Sequence, residues 1–156
     1  MNEITIKYQE FESFDQLSDE DLDLIDRAFI AASNAYAPYS NFQVGASVLL
    51  NDGTIVLGNN QENSAYPSGI CAERTALFYA GANFPQHSIK KMAIVAFGDA
   101  FSEETFLSPC GSCRQVMLES GNRQDHPFEI LLTSPNKKVI KLFSAKDLLP
   151  LSFKLK

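Results

Sequence analysis

Apolar and polar residues first alternate near the start of the chain. Ile4, Ile6 and Tyr8 share one face of Glu3–Tyr8, the two-residue period of a strand. The following residues to Gln16 are irregular and acidic. Ser18 then offers an N-cap and Asp19-Glu20-Asp21 first-turn acids, which meet the unpaired N–H groups and positive end of a helix. Leu22, Ile25, Phe29 and Ala32 recur at helical spacing, so an amphipathic helix is expected over Asp19–Ala35. The segment Tyr36-Ala37-Pro38-Tyr39-Ser40 ends it.

Val44–Leu50 is apolar and rich in small or β-branched residues, Asn51-Asp52-Gly53 carries turn chemistry, and Thr54–Leu57 returns as the second arm of a hairpin. Met92–Phe97, Phe128–Thr133 and Val139–Phe143 read as further strands, the last two joined by a turn at Ser134-Pro135-Asn136. Two short helices lie between strands, and both begin at cysteines: Cys71–Ala80, stopping at Gly81, and Cys110–Glu119, opened by Pro109 and stopped near Gly121. A last helical turn is expected near Ser144–Leu149. Strands alternating with helices predict an α/β layered domain, with helices packed on a central sheet. Right-handed crossovers would bring the N-termini of the two cysteine-led helices to one edge of that sheet.

Composition narrows the function. The 156 residues, 45% hydrophobic and 21% charged, suit one soluble domain with a single core. No apolar run approaches the roughly 18 residues of a membrane span, and the N-terminus lacks signal-peptide features, so a cytoplasmic location is expected. A net charge of −6 and the lack of any Lys/Arg cluster disfavour nucleic acid as partner and favour a small substrate.

Three cysteines cannot all pair within one chain, and Cys-x-x-Cys in a reducing compartment is more often a metal or catalytic motif than a disulfide framework. A cysteine at a helix N-terminus has a lowered thiol pKa, and the thiolate is the form that ligates metal. Cys71, Cys110 and Cys113 could hold a tetrahedral zinc. Structural sites fill all four positions with protein ligands, whereas catalytic sites leave one for water. Neither His87 nor His126 sits at ligand spacing from a cysteine, and both read as solvated surface histidines. Three ligands plus water is the better count. Glu73, two residues after Cys71, can reach such a metal from outside its coordination shell and carry protons there. Alone it would equally be a first-turn acid stabilising the helix dipole. Three thiolates leave a zinc ion at net −1, an excess that the Arg74 guanidinium would offset.

Cys71-Ala72-Glu73 with Pro109-Cys110-Gly111-Ser112-Cys113 resembles the zinc signature of the cytidine deaminases, in its three-cysteine nucleoside-deaminase form. Tyr36–Ala46, Asn60–Tyr66, Cys113-Arg114-Gln115 and Leu148–Phe153 are similar to further segments of that family, so the resemblance runs from Leu22 to Phe153. It implies a three-layer α-β-α fold with a mixed sheet of about five strands and helices on both faces. It implies one Zn2+ per subunit on Cys71, Cys110 and Cys113, with Glu73 catalytic and with Arg74 and Gln115 tuning the thiolate charge. Phe42 would pack on the nucleoside, Asn60 and Glu62 would bind the sugar hydroxyls, and Ser64 and Tyr66 would line the same site. Phe153 would complete a neighbouring subunit's site in a homotetramer. Residues 18–156 would form the deaminase domain, and residues 1–17 an extension serving as an extra edge strand or interface segment.

The reaction so implied is hydrolytic deamination of cytidine and 2′-deoxycytidine at C4, within pyrimidine salvage. Glu62 would repel a nucleotide phosphate, which favours nucleosides. Another aminopyrimidine nucleoside, such as an aminonucleoside antibiotic, is the alternative substrate. A redox dithiol at Cys110 and Cys113 would leave Cys71 and Glu73 without a role, and a zinc-stapled interaction module would need a closed metal site.

Overall fold

Ser18 opens the first helix as its sequence context implies: its hydroxyl accepts the Asp21 N–H at 3.2 Å, and α1 runs over Asp19–Ser33. The structure, a computed structural model, describes residues 1–98 and 106–153. Its strands are β1 (Tyr8–Phe11), β2 (Gln43–Leu50), β3 (Ile55–Asn59), β4 (Ile89–Phe97), β5 (Glu129–Thr133) and β6 (Val139–Leu142). Two further helices are α2 (Ala72–Asn83) and α3 (Gly111–Asn122), and short 3-10 turns occupy Phe14–Gln16, Tyr66–Ser68 and Ala145–Leu148. The strands form one mixed sheet in the order β1-β6-β5-β4-β2-β3.

The central strands are apolar on both sides because both faces are covered. Val44, Ala46, Val48 and Leu50 of β2 join the core beneath α2 and α3. Leu49 joins Leu24, Ile25 and Ala28 in a second core under α1. Ser47 also sits on the α1 side, fully buried, and its hydroxyl donates to the Leu24 carbonyl at 2.6 Å. The result is the expected three-layer α-β-α arrangement.

Two glycines set how closely the layers approach. A Cβ at Gly45 would lie 2.0 Å from the Ala28 carbonyl oxygen of α1. One at Gly58 would lie 2.5 Å from the Ala72 carbonyl oxygen of α2. The β2–β3 hairpin is thus clamped between two helix backbones that only glycine admits.

The connections decide where the chemistry falls. β3 and β4 both flank β2 and both run antiparallel to it, so α2 joins two parallel strands. β4 and β5 pair in parallel, with α3 between them. Both helices therefore start from the same edge of the sheet, as the order of elements implied.

Three expectations shift. The sheet has six strands, because β1 adds to the outer side of β6 with Tyr8 opposite Leu142 and Phe11 opposite Val139. The N-terminal strand lies at Tyr8–Phe11 and not at Glu3–Tyr8, since β6 offers partners only from Tyr8 onward. α2 and α3 each run past their glycines. In α2 the last turn is held by Phe84 N–H donating to the Ala80 carbonyl and by Asn83 Nδ2 donating to the Tyr79 carbonyl, enough to absorb the ~1 kcal/mol cost of an interior glycine.

Candidate metal centre and substrate cleft

Cys71 and Cys110 are the N-cap residues of α2 and α3, and Cys113 lies in the first turn of α3. Neither N-cap side chain bonds to its helix, which leaves first-turn N–H groups and the positive end of each dipole facing the sulfurs. The three Sγ atoms lie within 4.8 Å of one another. Cys113 is fully buried, Cys71 is half-buried and Cys110 is exposed, so the cluster opens to solvent on one side.

The electrostatics suit an anionic sulfur centre. The hydrogen bond with Cys113 is the main influence lowering Cys71, and Arg74 lowers it further, bringing its thiol down to about 5 against the resistance of burial. The same hydrogen bond, with burial and the Glu73 charge, pushes the Cys113 thiol far up. Arg74 Nη2 donates to Cys71 Sγ at 3.7 Å, and that bond raises the guanidinium's own pKa. Among the described residues, the buried Arg74 Nε has no hydrogen-bond partner. Three soft donors, an adjacent cation and a spare buried N–H fit a thiolate-bound divalent metal such as zinc.

Glu73 is 5% exposed, and burial raises its carboxyl above the ordinary carboxylate value, with the Cys71 charge adding to the rise. A buried carboxyl so shifted beside a cysteine cluster is a candidate proton carrier.

A cleft of about 260 Å³ opens beside Cys71 and Arg74, with Asn60, Glu62 and Tyr66 in its wall. Paired bridges shape it: Gln61 exchanges backbone hydrogen bonds with Ile70, and Glu62 N–H donates to the Tyr36 carbonyl. Glu62 Oε2 accepts the Tyr39 and Ser40 N–H groups at 2.9 and 3.3 Å, while Oε1 accepts the Ser40 hydroxyl. Those bonds hold the Glu62 carboxyl below its usual value, the Ser40 hydroxyl first among them. Asn60 Oδ1 accepts the Val44 N–H at 2.7 Å, and its Nδ2 donates to the Phe42 carbonyl at 2.8 Å. Asn60 and Glu62 thus brace the 39–44 segment that carries Phe42, a task that sequence spacing alone did not reveal.

Phe42, Ser64, Gln115 and Phe153 are not among the residues lining the cleft. Phe42 is partly buried against the α2/α3 core, and Ser64 is exposed on the bend before the Tyr66–Ser68 turn. Phe153 is 69% exposed, and its carbonyl accepts the Gln115 amide at 3.2 Å. Sequence reasoning passed over Arg114, although its guanidinium donates to Pro109, Ser108 and Leu148 around the Cys110 turn. Its sequence signal was its place in the Cys113-Arg114-Gln115 segment, a cation one residue after a metal-ligand cysteine.

Residues 18–125 match the family model described as the cytidine and deoxycytidylate deaminase zinc-binding region. A cytidine deaminase of Halalkalibacterium halodurans is 45% identical over 96 residues, covering 62% of this chain and 68% of the relative. One from Mycoplasma genitalium is 34% identical over 131 residues, covering 84% of this chain and 93% of the relative. The crystal structure of cytidine deaminase from Burkholderia pseudomallei superposes with a TM-score of 0.73 at 40% identity, covering 88% of this chain and all of the other. With three sulfurs converging at two helix starts and a buried glutamate among them, the chain belongs to the zinc-dependent cytidine deaminase family.

Proposed function

We propose that this protein hydrolyses the C4 amine of cytidine and of 2′-deoxycytidine, consuming water and releasing ammonia with uridine or 2′-deoxyuridine. The observation that carries the proposal is Glu73, buried and raised in pKa, beside three sulfurs able to hold one metal ion. Cys71, Cys110 and Cys113 would hold the zinc, which would supply Lewis acidity and lower the pKa of water at the site.

Glu73 does the proton work. Its carboxylate takes the proton of the attacking water and passes it to cytosine N3, so the ring accepts electron density without becoming an anion. It then takes the remaining proton of the oxygen added at C4 and delivers it to the amine, so that the C4 carbonyl forms as the C–N bond breaks and ammonia leaves. Arg74 and the two helix N-termini offset the excess negative charge of three thiolates. We assign Gln115 to the same surroundings, acting through the C-terminal segment whose Phe153 carbonyl it holds.

Phe42 packs on the base, Asn60 and Glu62 meet the sugar hydroxyls with the hydrogen-bonding capacity their bracing roles leave over, and Ser64 and Tyr66 complete that wall. The Glu62 carboxylate disfavours a 5′-phosphate at the cleft. Phe153, exposed at the end of the described chain, completes the site of a neighbouring subunit in a homotetramer. Residues 18–156 form the deaminase domain and residues 1–17 an extension, a division supported by the family match starting at residue 18. Three free cysteines accord with a reducing cytoplasm and a place in pyrimidine salvage. Among the described residues, no helix is long and apolar enough to cross a membrane.

Turnover of cytidine, 2′-deoxycytidine and cytidine monophosphate by one zinc-loaded sample tests the substrate class. Both nucleosides should be deaminated, with the nucleotide far slower. Equal turnover of the nucleotide would overturn the assignment of Glu62.

A further inference from the structure

We propose that Arg114 is a positioning residue of the metal centre, its forked guanidinium locking the Ser108–Cys110 turn onto the C-terminal segment and so fixing the Cys110 sulfur. This rests on the three-sulfur reading of the site. Cys110 is the exposed sulfur of the three, and its side chain makes no capping bond to α3. Its position therefore depends on the turn that precedes it.

Arg114 uses every guanidinium nitrogen, two on that turn and one on the C-terminal segment. Nε donates to the Pro109 carbonyl at 2.8 Å, Nη2 to the Ser108 hydroxyl at 3.0 Å, and Nη1 to the Leu148 carbonyl at 3.2 Å. Leu148 is 8% exposed and belongs to the main core, so its carbonyl is an anchored reference point. The chain leading into the turn has a second tether, Leu107 N–H to the Thr133 carbonyl at 3.3 Å. One residue further along α3, the Gln115 amide holds the Phe153 carbonyl. Two adjacent side chains of the metal helix thus bind the C-terminal segment, and one of them also binds the residue preceding a ligand. A lysine keeps the charge but cannot reach three acceptors at fixed angles.

The test uses the full-length, zinc-loaded protein. Zinc dissociation constants are read by chelator competition, and the thiolate absorption of the cobalt-substituted protein reports ligand geometry. Removing a partner that orients a ligand costs about 10–100-fold in metal affinity, and that loss is expected for both Arg114→Ala and Arg114→Lys, with an altered cobalt spectrum. Lys141→Ala loosens the distant Asp21 ion cluster and serves as the destabilised control. It should lower the melting temperature and leave zinc affinity unchanged. The proposal is overturned if Arg114→Lys binds zinc as tightly as the parent, since charge would then suffice. It is equally overturned if both Arg114 variants only melt earlier. Should Arg114→Ala fail to fold, the lysine variant decides alone. A parent protein that binds no zinc would sink the metal site itself.

Discussion

Gly58→Ala should damage the active site from the opposite side of a helix. Gly58 pairs with Ala46 across the hairpin and lies under the first turns of α2, the helix that carries Cys71 and Glu73. The added Cβ would meet the Ala72 carbonyl oxygen and the Ala76 nitrogen, both at 2.5 Å. Ordinary contact begins at 3.4 Å, so α2 must retreat by about 0.9 Å, and both clashing atoms are backbone that cannot rotate away. Overpacking of this kind costs about 1–3 kcal/mol of stability. The larger effect should be catalytic, because a ~1 Å misplacement of reacting groups can cost on the order of 10²-fold in rate. Gly121→Ala is the control, since its Cβ would meet the Phe128 ring at 3.5 Å and should stabilise α3 by about 0.5–1 kcal/mol. Urea unfolding and kcat/KM for cytidine, measured on both variants, decide the matter. A Gly58→Ala enzyme that keeps parental kcat/KM would refute the claim that α2 is placed by this contact.

Other perturbations probe separate parts of the account. Burial pushes the Asp21 carboxyl up, but hydrogen bonds from Lys91 and Lys141 outweigh it and hold the group below its ordinary 3.8. Its contribution is therefore present above that value and lost as pH falls through and below it. Asp21→Asn should cost about 2–3 kcal/mol at neutral pH, less than a fully orphaned buried charge because Glu129 still pairs with both lysines. The gap to the parent in urea unfolding should close below about pH 4; a gap unchanged at pH 3 would contradict the ion-pair reading. Glu62→Gln loses an acceptor for the 39–40 backbone and should raise KM for cytidine more than it lowers kcat, checked by steady-state kinetics. Cys71→Ser should lower zinc well below one per chain and abolish deamination, whereas a Cys110–Cys113 dithiol enzyme would stay active.

Much of this arrangement is legible in local sequence. Asn51-Asp52-Gly53 between two apolar runs marks the β2–β3 hairpin, and Ser18 with three acids marks the start of α1. The cysteines at helix starts, with alternating strands and helices, place all three sulfurs at one sheet edge. What escaped was set by partners far away in sequence. Ile4 and Ile6 alternate as a strand should, yet only β6 decides which N-terminal residues pair, and it takes Tyr8–Phe11. Gly81 looks like a helix stop, but its helix continues because capping bonds form one turn later. The bonds from Asn60 and Glu62 to the Phe42 segment span 16 to 23 residues, beyond any spacing rule.

The most direct test of the central claim is zinc content and cytidine turnover, measured together on the parent protein and on Glu73→Gln. The account predicts about one zinc per chain in both. It predicts turnover lower in the variant by at least the 10²–10⁴-fold typical of a lost general acid–base group. A Glu73→Gln protein that holds its zinc and deaminates cytidine at the parental rate would contradict it.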